Sequence, residues 1–150
     1  MCQGKITQHF NLSELTRSAT AQRHGLANDP GPTEKANLIQ LATHILEPVR
    51  QYFGLAFYPS SGFRSPVLNQ LVGSKSTSQH ITGQAVDFEI PTIANRDLAN
   101  WIKVNLAFDQ LILEFYHSDD PKSGWVHCSY RKDHNRNMCL IFDGSSYRKF

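Results

Sequence analysis

Apolar positions recur at helical spacing in the first third of the chain and fall into short alternating runs in the last third, so helices are expected first and strands later. Asn11-Leu12-Ser13-Glu14-Leu15 reads as a modest helix with a capping residue. The chain then breaks at Gly25 and at Asn28-Asp29-Pro30-Gly31-Pro32, a run of turn residues. Thr33 is placed to cap a long helix, with Glu34 in its first turn. Leu38, Leu41, Ile45, Val49 and Phe53 make one stripe along it, and Pro48 predicts a kink or an early end. Leu55 to Pro59 is short, aromatic and bounded by breakers, as a strand would be. Ser65-Pro66 fits an N-cap and first helical position for a short helix through Val72, followed by a loop over residues 73–78.

From Gln84 to Ile90 the chain alternates, with Ala85, Asp87 and Glu89 on one face and Val86, Phe88 and Ile90 on the other. Asn95 is expected to cap an amphipathic helix carrying Leu98, Trp101 and Ile102. Three further strands are expected over Asp109–Phe115, Trp125–Tyr130 and Met138–Asp143, with a polar loop from His117 to Gly124 between the first two. This order predicts an α+β fold, a central antiparallel sheet flanked by helices.

Composition narrows the function more than the fold. The 150 residues fit one compact domain over 1–150, and 15 Lys and Arg against 13 Asp and Glu give a net charge of only +2. The basic residues are scattered, so a nucleic-acid partner held by counterion release is disfavoured. Apolar runs such as Leu111-Ile112-Leu113 fall far short of the roughly 18 residues of a membrane span. The opening residues lack the charged start and apolar stretch of a secretion signal, which predicts synthesis in a cytoplasm without export by that route. Three cysteines, Cys2, Cys128 and Cys139, are too few and too odd for a disulfide framework, although Cys128 and Cys139 sit on two expected strands and could be neighbours. No Gly-x-Ser-x-Gly elbow, phosphate-binding glycine loop or C-x-x-C is present.

The chemistry concentrates in Ser61-Gly62-Phe63-Arg64-Ser65, in Ser78-Gln79-His80 through Gly83 to Asp87, and in Trp125-Val126-His127-Cys128-Ser129. Two imidazoles and a carboxylate suit a catalytic zinc that keeps a fourth position for water. His80 and Asp87 cannot hold one ion from a helix face, since seven residues would set them two turns, about 10.5 Å, apart, so a loop entering a strand must bring them together, with Gly83 allowing the turn. Such a spacing also arises by chance. The alternative is a loop His80 bonded to Ser78 or Asp87 and a strand His127 satisfied by a neighbour.

Taken together and in order, Phe10 to Leu15, Asn37-Leu38 through Arg50, Ser61 to Pro66, Asn69, Val72-Gly73, Ser78 to His80, Gly83, Ala85, Asp87 and Trp125 to Ser129 resemble the zinc D-Ala-D-Ala carboxypeptidase family of peptidoglycan peptidases. That family shares its fold with the signalling domain of hedgehog proteins, and the likeness is to its small phage and bacterial branch. The resemblance implies Zn2+ held by His80, Asp87 and His127, and Arg64 as the cation beside a substrate carboxylate or the scissile carbonyl. Zinc in such a set acidifies water and polarises a peptide carbonyl. Several members carry an acid or histidine just before the last ligand, but here those positions are Gly124, Trp125 and Val126. Glu114, at the end of an expected strand, resembles the glutamate of hedgehog-like domains and is the expected general base.

Ser78 and Gln79 are expected to orient His80 or the substrate, and Trp125 to wall the cleft or pack in the core. His117 and His134 fall in polar loops and read as exposed. The implied activity is hydrolysis of a peptidoglycan stem-peptide bond, as a carboxypeptidase or an endopeptidase, in a phage protein released at lysis or carried in a virion. The competing reading keeps the zinc without catalysis, as a structural or wall-binding module; a metal-free domain would make the motif match a coincidence.

Overall fold

A computed structural model of the chain describes residues 4–150. A 3-10 turn (Leu12–Leu15) and a short helix α1 (Ala19–Arg23) precede the long helical stretch, which runs as α2 (Pro32–Leu41), a π turn (Ala42–Leu46) and α3 (Glu47–Phe53). Its apolar stripe packs as the periodicity predicts: Leu38, Leu41, Ile45 and Val49 are all fully buried. Pro48 neither breaks nor ends the helix. The π turn lies directly before it, with the Glu47 N–H donating to the Ala42 carbonyl, and this wider ladder gives the ring room that a regular turn would deny it. The cap differs from expectation, because Gly31 takes the N-cap position and Pro32 the first turn, leaving Thr33 inside the helix.

After α4 (Pro66–Leu71), capped by the Ser65 hydroxyl accepting from the Leu68 N–H at 3.2 Å, come β1 (Ala85–Phe88), α5 (Asn95–Asn105), β2 (Gln110–Glu114), β3 (Trp125–Ser129), β4 (Met138–Phe142) and β5 (Tyr147–Lys149). The sheet order is β1-β3-β2-β4-β5. The fold is α+β as expected, but the sheet is mixed rather than purely antiparallel. β4 crosses to the free edge of β2 and pairs with it in parallel, while the other three pairings are antiparallel.

Leu55 to Pro59 forms no strand. Phe57 is instead a buried plug between the rings of Phe10 and Phe88, at centroid distances of 5.4 and 5.2 Å. Asn95 does not cap α5, whose N-cap is Ala94; its buried amide donates to the carbonyls of Lys122, Ser123 and Gly124 and so ties the β2–β3 loop to the helix.

Alternation assigns the two faces of the sheet. Val86, Phe88, Leu111, Leu113, Val126, Cys128 and Ile141 point into the core, together with Leu98 and Ile102 of α5 and the stripe of α2 and α3. The opposite face carries the polar residues. Cys128 and Cys139 both lie beside Leu111, on opposite sides of β2, so a full strand separates them. Two strand spacings come to about 9–10 Å, beyond disulfide reach, and both thiols are free. Cys2 lies outside the described residues. Among the described residues, no helix is long and apolar enough to cross a membrane.

Candidate metal centre and cleft

Sheet register brings the chemistry together. Asp87 of β1 lies opposite His127 of β3, His127 lies opposite Ile112 of β2, and Glu114 lies opposite Trp125. Asp87, His127 and Glu114 therefore share the polar face. Beside β1, Ser61 closes an isolated bridge: the Asp87 N–H donates to the Ser61 carbonyl at 2.8 Å, and the Ser60 N–H donates to the Asp87 carbonyl at 2.9 Å. This pins the next residue, Gly62, against the Leu15 backbone, where a Cβ would overlap the Leu15 carbonyl. Glycine is needed here for close approach.

The Gly62 carbonyl then fixes His80. Its only capacity is to accept, so at 2.7 Å from the His80 Nδ1 it requires that nitrogen to carry the proton. Burial lowers the pKa of His80, partly countered by Asp87, and keeps the ring neutral. Nε2 is then bare, and its lone pair faces the Asp87 Oδ2 at 3.4 Å. Two acceptors pointed at each other repel unless a cation stands between them. His127 Nδ1 lies 2.9 Å from the other Asp87 oxygen, and one donor atom from each of the three residues falls within 4.8 Å of the rest. Two imidazoles and one carboxylate at this separation fit zinc in donor type and number, with room for a further ligand.

Charge at the site follows from burial and neighbours. Burial pushes the Asp87 carboxyl up, but the hydrogen bond from His127 and the closeness of both imidazoles outweigh it and hold its pKa well below the usual carboxylate range. Burial pushes Glu114 up, with His127 opposing and the Asp87 charge adding to the rise. Burial also lowers Arg64, against the pull of Asp87. The Arg64 N–H donates to the His80 carbonyl at 3.0 Å, and its buried Nε has no hydrogen-bond partner among the described residues.

A cleft of about 640 Å³ opens on this face, with His127, Glu114, Ser78, Gln79, Lys75 and Arg136 among its lining. The structure thus brings His80, Asp87, His127, Glu114 and Arg64 to one region and sets Ser78 and Gln79 at the cleft wall. The Ser78 hydroxyl accepts from the His80 N–H at 3.2 Å, and Gln79 donates to Asp109 at 2.9 Å. Trp125 lies outside the lining and packs on Phe115 at 5.1 Å. His117 and His134 are exposed and do not line the cleft.

Three participants carried no signal in the sequence. Asp109, at the mouth of β2, is fully buried and accepts from Gln79 and from three nitrogens of Arg136, the main-chain N–H, Nε and Nη2, at 2.8–3.0 Å. Arg136 sits in an irregular polar stretch and Tyr147 on a three-residue edge strand, where neither periodicity nor motif marks a site.

No curated protein sequence matches the chain. A family model described as Peptidase M15 matches residues 8–129, a stretch that holds His80, Asp87, His127, Arg64 and Glu114. Peptidases of this family depend on zinc, and the unopposed lone pair of His80 beside the Asp87 carboxylate is where such an ion fits. On that match, which spans most of the sequence, the chain belongs to the peptidase M15 family.

Proposed function

We propose that this metallopeptidase hydrolyses an amide bond of bacterial peptidoglycan stem peptides, as a carboxypeptidase or an endopeptidase, without a covalent intermediate, and that it serves a phage at lysis or in the virion. The observation that carries the hydrolytic reading is a metal-ready His80–Asp87–His127 triad whose His127 lines one cleft together with a half-buried carboxylate, Glu114. His80, Asp87 and His127 would hold the zinc, which when bound supplies Lewis acidity to the scissile carbonyl and acidifies water.

The chain's own groups do the rest. Gly62 and Ser78 hold the His80 ring and backbone in place. Glu114 takes the proton of the attacking water and delivers it to the departing amine, a step worth about a hundredfold to ten-thousandfold. Its burial favours this role, since a raised pKa brings a carboxylate nearer to the proton affinity a relay needs. Arg64, anchored through its backbone to His80 and short of a partner at Nε, offers a donor to the developing oxyanion or to a substrate carboxylate.

One observation favours a second reading. Gly124, Trp125 and Val126, the residues just before His127, can take no proton, so the chain would serve as a zinc-holding wall-binding module if Glu114 did not act. The two readings separate in one experiment: purified peptidoglycan is incubated with the zinc-loaded protein, with chelator, and with Glu114→Gln, and new termini are read by mass spectrometry. Cleavage that disappears in chelator and in Glu114→Gln, while the variant still holds zinc, is the expected result. A protein that holds zinc and releases nothing would establish the binding module instead.

A further inference from the structure

The M15 match ends at residue 129, yet the cleft does not. Arg136, Leu140 and Tyr147 come from the segment beyond it, in which β4 and β5 extend the sheet past β2 and add a second wall. Arg136 is built differently from a surface cation. Asp109, with no exposed surface, grips it through the main-chain N–H at 3.0 Å, Nε at 2.9 Å and Nη2 at 2.8 Å, and Gln79, the residue before the ligand His80, donates to the same carboxylate at 2.9 Å. This grip fixes the guanidinium relative to the metal-ligand loop. It leaves Nη1 with no partner among the described residues. Lys75 lines the same cleft and pairs with no carboxylate among the described residues, so the lining holds two cations against the single carboxylate of Glu114.

We infer that Arg136, assisted by Lys75, is a carboxylate anchor that selects the substrate: it takes a free carboxylate of the peptide remote from the scissile amide and thereby decides which bond lies over the metal centre. The inference rests on the peptidase reading above and adds the specificity-determining group. A pre-fixed planar fork loses little freedom on binding, and its charge matches a carboxylate where a neutral amide offers one acceptor and two opposing donors.

The test is an amide scan. A synthetic stem pentapeptide is prepared with all its carboxylates free and with each amidated in turn. Binding to zinc-loaded Glu114→Gln protein is measured by calorimetry, and hydrolysis by the zinc-loaded wild type is measured as kcat/KM. One amidation should weaken both roughly ten- to hundredfold, the size of one charge-assisted hydrogen bond. With Arg136→Gln added, that penalty should fall below about threefold. Lys75→Gln, which leaves the Asp109 contacts intact, should reduce it by a smaller factor.

A purely structural role for Arg136 would lower all the peptides in parallel and leave the penalty unchanged, which overturns the inference. So would a wild type indifferent to every amidation. Preference in binding without hydrolysis would keep the anchor and remove the peptidase reading; hydrolysis without preference would do the reverse.

Discussion

Replacing Asp109 by asparagine tests whether the buried carboxylate holds the metal-ligand loop, β2 and the C-terminal wall together. Its two oxygens divide four donors evenly: Oδ1 accepts from the Arg136 main-chain N–H and Nε, and Oδ2 from Gln79 Nε2 and Arg136 Nη2. An asparagine has the same shape, but whichever way its amide turns, the NH2 meets two donors. Two bonds to a charged acceptor are lost, each worth about 1.5 kcal/mol at the low end appropriate to a pair whose arginine faces water. The expected cost is about 3 kcal/mol, or a fall in Tm of roughly 6–12 °C for a chain of this size.

The acid dependence gives an independent check. Hydrogen bonds from Arg136, opposed by burial, hold the Asp109 pKa at about 2, below the ordinary 3.8. A depressed carboxylate stabilises the fold above its unfolded pKa and loses that contribution as pH falls through the folded value. Wild type should therefore shed about 1–2 kcal/mol between pH 4 and pH 2 that the asparagine variant does not, a figure reduced for the solvent around Arg136. Urea unfolding followed by circular dichroism, with chelator in every sample so that zinc release is not counted, measures both quantities. An unfolding free energy within about 0.5 kcal/mol of wild type, or an equally steep acid loss in the variant, would refute the hub.

Gly124→Ala should cost more than about 3 kcal/mol in the same assay, since a Cβ at its left-handed φ of 67° overlaps the Glu114 carbonyl and lies 2.8 Å from that of Phe115, both rigid backbone. Zinc at a hundredfold excess over its Kd should stabilise wild type by about 2.7 kcal/mol, whereas His127→Ala should show no zinc-dependent change in Tm. In a Cys2→Ser background, a thiol reagent should label Cys139 in the folded protein and Cys128 only after unfolding, with no internal cross-link under air; an oxidised Cys128–Cys139 pair would contradict the strand between them.

Local chemistry made much of this fold legible. The stripe from Leu38 to Val49 states which side of its helix is buried, because burial is what a repeating pattern records, and the alternation of Ala85 to Phe88 states which residues share a face, although Ala85, on the side of Asp87, is buried too. What the pattern does not record is which neighbour a strand chooses. Met138 to Phe142 reads as a strand in either sheet, and only its passage to the far edge of β2 makes that pairing parallel. Pro48 misleads for a related reason: proline forbids a regular α turn, and a π turn supplies an irregular one that no propensity foretells. Asn95 has the chemistry of a cap, yet the three carbonyls of residues 122–124 offer its amide more bonds than a helix end would.

The site divides along the same line. His80, Asp87 and His127 were visible because metal ligation demands particular donor types, and register completes what their spacing leaves open: Asp87 stands opposite His127 only if β1 and β3 pair, although 40 residues part them in sequence. Arg136 and Asp109 were invisible because an arginine and an aspartate read as ordinary surface residues until one is buried. Burial converts Asp109 from a solvated charge into a group that must be satisfied, and Arg136 satisfies it at a point where the guanidinium also borders the cleft. The pair thus does two things at once: it meets the buried charge of Asp109, and through Gln79 it ties a half-exposed guanidinium in the cleft wall to the loop that carries His80.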